Sequence, residues 1–328
     1  MDVSKLLPIA DDLELFAGLK NWLPHRIIDF HFHLHLNNNG LDIFNYSAKT
    51  PGQTFNWFDL NTHRLVLEKF DFVPSFYQAV AFGLPFSPDE SQNNFNLYRL
   101  GLERMEIYSI PCLTSSLVNQ TDWQSFRSVN GIKTKIRTQG GDDEIFKHFS
   151  KETWEWLNFG NRFLIIHLPQ NLWQNASELA FLANKYRRIN FIIAHLGGAF
   201  LFNEQLPSAL EILQPFNNVF FDTAMVTDPE SVLAAIKIIG CKRIIFGSDA
   251  PFGYLRGRFI RHEGQTLFLP EFVWPWIDSR FSQLAPKPGN MVFLQSLSAI
   301  RAALHVSGAD SDYNRNAIFF QNAIKLIT

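Results

Sequence analysis

At 328 residues the chain is longer than a common domain, yet it fits a single large α/β domain or barrel. Hydrophobic residues make up 46% and charged residues 18%, so a substantial core can form, and the net charge of −2 argues against a nucleic-acid or anionic-membrane partner. The two cysteines, Cys112 and Cys241, stand in no zinc-type spacing, which argues against a disulfide framework and points to a cytoplasmic protein.

Residues 1–24 read as a helical extension. Leu6, Leu7, Leu13 and Leu15 suit a short surface helix packed on the body, and Asp11, Asp12 and Glu14 leave no apolar signal-peptide core. No apolar run approaches the ~20 residues needed to span a membrane. The next segment, Asp29-Phe30-His31-Phe32-His33-Leu34-His35, follows Arg26-Ile27-Ile28 and reads as a strand. On a strand, residues two apart share a face, so His31 and His33 stand about 6.5–7 Å apart at the backbone, within reach of one metal ion. His35 continues the alternation into the following loop. Asp29 is expected below the site, orienting a histidine or capping the strand start.

Seven more apolar segments follow: 78–84, 106–113, 131–137, 163–167, 190–195, 218–223 and 243–248. Helical spacing of Leu, Ala and Ile is clearest over Asn175–Tyr186 and Pro229–Ile239. Strands alternating with helices imply a parallel sheet. From the fifth strand to the eighth the repeat is close to ~30 residues, as in a (β/α)8 barrel. A doubly wound open sheet is the second possibility, weakened because no Gly-x-Gly-x-x-Gly turn follows a strand. The whole chain, 1–328, is read as one domain.

Two long segments follow the first and eighth strands, residues 36–62 and 250–290. They carry many aromatics, Phe44, Phe55 and Phe58 among them. Both fall on the side where barrels build their sites, so they are expected to wall a pocket. His167 ends Phe-Leu-Ile-Ile-His, His195 ends Phe-Ile-Ile-Ala-His and Asp249 ends Ile-Ile-Phe-Gly-Ser-Asp. With His31 and His33, these are five metal-competent groups at the same end of four strands, and a parallel barrel brings such positions to one rim.

Taken together, Asp29-Phe30-His31-Phe32-His33, Ile166-His167, Ala194-His195-Leu196-Gly197-Gly198, Asn218-Val219-Phe220-Phe221-Asp222-Thr223, Phe246-Gly247-Ser248-Asp249-Ala250-Pro251 and the closing Gln321-Asn322-Ala323-Ile324-Lys325-Leu326 resemble the amidohydrolase superfamily. The resemblance is to its amidohydrolase 2 branch, which includes decarboxylases of aminocarboxymuconate-semialdehyde and hydroxybenzoate type and lactonases. Residues 36–130 match poorly. The resemblance implies that His31, His33, His167 and Asp249 hold one divalent ion, with His195 and Asp249 catalytic. Neutral imidazoles and a carboxylate suit zinc, with manganese as the alternative, and leave a position open for water. Asp249 would then move the proton of that water, and His195 would polarise the substrate carbonyl.

On the fourth strand Lys133, Lys135 and Arg137 share one face, where cations could hold a substrate carboxylate. One lysine could instead be carbamylated, as in binuclear relatives, or the face could be a solvated edge. Arg256 and Arg258 are further candidates for an anionic substrate. His25, His63, His148, His262 and His305 lack such a context, and both cysteines read as packing groups.

The expectation is a metal-dependent hydrolase cleaving a C–O or C–N bond of a small, anionic carbonyl compound. Its rivals are a non-oxidative decarboxylase of a small unsaturated or aromatic acid, using the same ligands, and a barrel that only binds. The expected partner is a small molecule, with homodimerisation a guess by analogy.

Overall fold

The computed structural model describes residues 6–34, 60–83, 90–113, 129–136, 144–271 and 289–328. Along these run β1 (Arg26–His33), β2 (Phe76–Phe82), β3 (Ile107–Ser109) and β4 (Cys112–Leu113), then β5 (Gly131–Lys135), β6 (Phe163–His167), β7 (Asn190–Ile193), β8 (Val219–Asp222) and β9 (Ile244–Ile245). Neighbours pair in parallel, β1-β2-β3 in one sheet and β4 to β9 in sequence order in another.

Backbone hydrogen bonds join the two sheets into a closed barrel. Pro111 has no N–H and interrupts the third stave, so β3 and β4 are two pieces of one stave. The Ile110 N–H donates to Ala81 O, and the Lys133 N–H to Pro111 O. On the other side the Phe30 N–H donates to Phe246 O, the Asp249 N–H to His31 O and the His33 N–H to Ala250 O. A bridge pairs Phe32 with Ala250. The result is the (β/α)8 barrel expected from the strand–helix alternation, with β5 as its fourth stave.

Side chains divide as a barrel requires. Ile28, Phe30, Val80, Phe82, Cys112, Phe163, Ile165, Ile192 and Ile245 pack inside, closed off by Phe320, Ala323 and Leu326 of the C-terminal segment. Ile27, Phe32, Ala79, Ile132, Leu164, Ile166, Phe191, Val219, Phe221 and Ile244 pack outward against the helices. The cysteines are free and buried, as expected. The Leu172–Lys185 helix begins three residues earlier than the apolar spacing predicts. Asn171 and Gln174 form a reciprocal cap there, and Leu172, Leu179 and Leu182 are buried. Pro229 opens Pro229–Ile238 behind an Asp228 cap.

The N-terminal helix α1 (Ala10–Lys20) is anchored by an acid. Asp12 is fully buried, and it accepts from Ile9 N at 3.0 Å, Arg256 Nε at 2.8 Å and Met291 N at 2.8 Å. Phe16 and Leu19 form its buried apolar face, while Leu13 stays exposed. After β9 the expected long loop is built over 257–270 as an antiparallel hairpin, β10 (Gly257–His262) with β11 (Gln265–Pro270). Residues 36–59 and 272–288 of the two expected pocket loops lie outside the described residues, as do His35 and Arg137. Among the described residues no helix is long and apolar enough to cross a membrane.

Replacing Asp12 with Ala removes the carboxylate that pairs with the Arg256 guanidinium, itself 4% exposed. Removing one member of a buried pair costs about 3–5 kcal/mol, and urea denaturation of D12A should show a loss of that order. A joint D12L/R256M variant should recover most of it.

Candidate metal centre

A register shift in β1 shapes the site. Asp29 pairs with Ala79 and Phe32 with Ala81, so Phe30 and His31 together oppose one residue of β2. The bulge turns two successive side chains inward. Phe30 meets Phe163 in the interior, and His31 and His33 follow on the same side. Asp29 is left on the outer side, where its Oδ1 accepts from Ser248 N at 2.8 Å and His31 N at 3.3 Å, and its Oδ2 from Tyr77 Oη at 3.2 Å. It holds the backbone of His31 and of Ser248 and, among the described residues, touches no imidazole ring. Burial pushes its carboxyl up to about 6.

The loops after β7 and β9 bring the other groups in through left-handed backbone. His195 has φ 56°, Leu196 50° and Asp249 56°, each costing roughly 1–2 kcal/mol. Gly197 and Gly198 continue the turn at φ 68° and 82°. The Asp222 carboxylate holds His195 N at 2.8 Å, and His31 O holds Asp249 N at 2.8 Å. Gly247 is a close-approach position, since a Cβ there would stand 2.6 Å from His31 Cβ.

The imidazoles are locked by their second nitrogens. His31 Nδ1 lies 2.8 Å from Asp222 Oδ2, His33 Nδ1 2.9 Å from Gly83 O and His195 Nδ1 2.9 Å from Ala224 O. A carbonyl or ionised carboxylate can only accept, so each Nδ1 carries the hydrogen and each Nε2, in the neutral ring, is a lone pair. His31 Nε2 stands 3.1 Å and His33 Nε2 3.3 Å from Asp249 Oδ1. Donor atoms of His31, His195 and Asp249 all lie within 4.8 Å of one another. Lone pairs facing a carboxylate oxygen need a positive charge between them, a proton or a metal ion. Nitrogen and carboxylate donors oriented from behind fit zinc or a similar divalent ion.

Titration follows the same logic. Burial drives His195 down to about 4 and His33 down as well, and it drives His167 well below the ordinary histidine value, aided by His195. His31 is the exception. Burial and Lys133 oppose its protonation, but the Asp222 and Asp249 carboxylates outweigh them and raise its pKa. Burial works against ionised Asp249 too, yet His31 and His195 hold it well below the carboxylate range.

The expected residues are thus only partly gathered. His31, His33, His195 and Asp249 meet directly. His167, last in β6, stands edge-on to His195 with ring centroids 4.9 Å apart. Lys133 is buried inside, its Nζ 3.5 Å from His31 Nε2, and Lys135 pairs in register with His167. Arg256 is not brought to this cluster, because its guanidinium is held by Asp12 and Leu7 O under α1. Arg258 is exposed on the hairpin, and His63 is buried against Tyr254. Asp222 is the functional residue that sequence reasoning missed. It ends the apolar strand Val-Phe-Phe-Asp just as His167 ends its own, and that was the available signal.

Aromatic rings surround the donors. Phe82 packs edge-on against His31 and His33, Phe252 against His33, and Phe200 tilts over His195 while stacking on Phe259 of the hairpin at 4.5 Å.

Comparison with known proteins gives a match to the amidohydrolase family model over residues 127–327. No curated protein matches the chain. Among solved structures, a zinc-bound amidohydrolase from Burkholderia multivorans superposes with TM-score 0.60 at 13% identity, over 92% of this chain and 99% of that one. The probable 2-pyrone-4,6-dicarboxylic acid hydrolase of Acinetobacter baumannii, with citric acid bound, gives 0.56 at 12% over 92% and 99%. The 2,6-dihydroxybenzoate decarboxylase from Rhizobium gives 0.54 at 13% over 92% and 98%. At such identities the likeness is one of fold.

Two outcomes follow. Asp222→Ala should lower Zn2+ affinity about 10–100-fold by freeing the His31 ring, as read by competition with a chromophoric chelator; unchanged affinity would contradict the assigned role. Metal-free protein should also lose stability in acid. His195 at about 4 and His63 at about 3 lie below the ordinary 6.5, so the unfolded chain takes up their protons first. Their contribution is present above 6.5 and is lost as pH falls towards 4 and 3, with His33 and His167 acting in the same direction. Asp29 and His31 oppose them, the contribution of Asp29 fading as pH rises from 3.8 through about 6 and that of His31, whose pKa is raised, fading as pH rises above 6.5. The urea midpoint should therefore fall from pH 7 to pH 5.

Proposed function

Given that this chain belongs to the amidohydrolase family, we propose that it is a metal-dependent hydrolase cleaving a carbonyl C–O or C–N bond of a small anionic substrate. The observation that carries the reading is the convergence of imidazole Nε2 lone pairs on Asp249 Oδ1, each fixed by a donating Nδ1. His31, His33 and Asp249 would hold the ion, with His195 and His167 beside them as further donors. Bound there, a divalent ion supplies Lewis acidity, polarising a carbonyl oxygen and acidifying water.

The side chains define the rest of the chemistry. His195 gives its Nδ1 hydrogen to Ala224 O, so its Nε2 is an acceptor. That suits a base or a ligand and not a donor that polarises a carbonyl. Asp249 stays ionised and can take a proton through its carboxylate. Lys133 and Lys135, on the inner face of β5, supply positive charge for a carboxylate of the substrate. Phe82, Phe252 and Phe200 keep the surroundings apolar, which strengthens each of these interactions.

Metal content by elemental analysis, followed by assay on lactones, esters, amides and carboxylic acids, tests the reading. Wild type should bind about one divalent ion per chain and incorporate solvent oxygen into the product. His31→Ala and Asp249→Ala should lose both metal and turnover. Full occupancy in both variants would remove the site assignment. CO2 release without uptake of water would turn the reading to decarboxylation, which can use the same donors.

A further inference from the structure

Lys133 lies inside the barrel with 1% of its surface exposed, so its charge cannot reach solvent. Among the described residues its hydrogen-bond partner is His31 Nε2, at the long distance of 3.5 Å, and no carboxylate oxygen stands within ion-pair range. The ammonium lies 5.2 Å from the Phe82 ring centroid, and the charges of Asp222 and Asp249 act on it from further away. A buried cation this thinly paired is unusual, because a buried charge is normally met by a partner of opposite sign. The lysine therefore points at the same nitrogen lone pair that a metal ion would use.

We propose that the Lys133 ammonium is an internal competitor of the metal ion, and that an anionic ligand relieves the competition by pairing with it. The inference rests on the metal reading above. The balance of buried charge carries it. Among the fully buried groups Asp222 and Asp249 contribute two negative charges and Lys133 one positive, so a dication leaves them net positive, and half-buried Lys135 adds to that sign. An incoming carboxylate reduces the excess by lying between the ion and Lys133. Metal and anion then bind with positive cooperativity, and by linkage each raises the affinity of the other equally. A carboxylate substrate would tighten its own cofactor, and the ligand-free enzyme would hold metal loosely.

The test measures Zn2+ affinity by chelator competition on wild type, Lys133→Met, Lys133→Arg and Asp249→Ala, with and without millimolar acetate. Methionine is close to isosteric with lysine and relieves a buried charge, and arginine keeps the charge as a second variant. K133M should bind Zn2+ about tenfold tighter or more than wild type and be indifferent to acetate. Wild type and K133R should bind weakly and tighten when acetate is added. Equal affinities for wild type and K133M, both well above D249A, would overturn the competition and leave the metal site standing. Weaker binding by K133M, with wild type heavier by one CO2 in its intact mass, would overturn it in favour of a carbamylated ligand. Zn2+ binding in no variant would overturn both readings.

Discussion

The site depends on one buried carboxylate. Asp222 ends β8 with no exposed surface, and its two oxygens reach His31 Nδ1, His195 N and Ala224 N. Those contacts join the first stave of the barrel to the loop after the sixth. They also decide the tautomer of His31, and with it which nitrogen faces Asp249. A carboxylate in this place needs its partners, because an ionised group without them would not survive burial. His31 supplies the main one, and the mutual attraction lowers the pKa of Asp222 against the effect of burial. The ring is thereby held in one orientation, with its Nε2 turned towards Asp249.

Around that carboxylate the chain tolerates local strain. His195 and Asp249 both sit in left-handed backbone, where side chains other than glycine are disfavoured. Each is held by a hydrogen bond from its own amide, to Asp222 in one case and to His31 O in the other. The glycines beside them have complementary tasks. A Cβ on Gly197 would stand 2.6 Å from Leu172 Cβ, and one on Gly247 as close to His31 Cβ. The His-Leu-Gly-Gly and Gly-Ser-Asp pieces are therefore backbone devices that aim one donor each.

Much of this was legible in the chain order. Apolar segments ending in His or Asp mark strand ends, and a parallel barrel forces such ends to one rim, so His31, His33, His195 and Asp249 could be grouped before any geometry was known. Asp222 carries the same signal, but in the sequence it stands only within the family resemblance, since a lone acid after Phe-Phe has many structural uses. The bulge in β1 was not legible. It comes from Asp29 accepting amides of His31 and Ser248, and the second of these is 219 positions away. Arg256 was misplaced for a similar reason. Its partner Asp12 lies 244 positions earlier, and a guanidinium near a site motif looks the same in sequence whichever carboxylate it meets. The hairpin over 257–270 was hidden because β10 does not alternate: Phe259 and Ile260 are adjacent, and the exposed Arg258 and Arg261 flank them on opposite faces.

On the proposed reading, rim and walls divide the labour in this chain. The donors would fix where positive charge sits and which protons are free to move. The shape and charge of the space above them would then select the substrate. In this chain that space meets Phe252 and the Phe200–Phe259 stack on one side and the lysines of β5 on the other. The rings belong to the loops after β7 and β9, so they can vary without disturbing Asp222 or the strands. The lysines belong to the barrel itself, and their charge acts on every ligand that enters. If the substrate is anionic, as proposed, selection for an anion would be built into the frame, and selection among anions would fall to the loops.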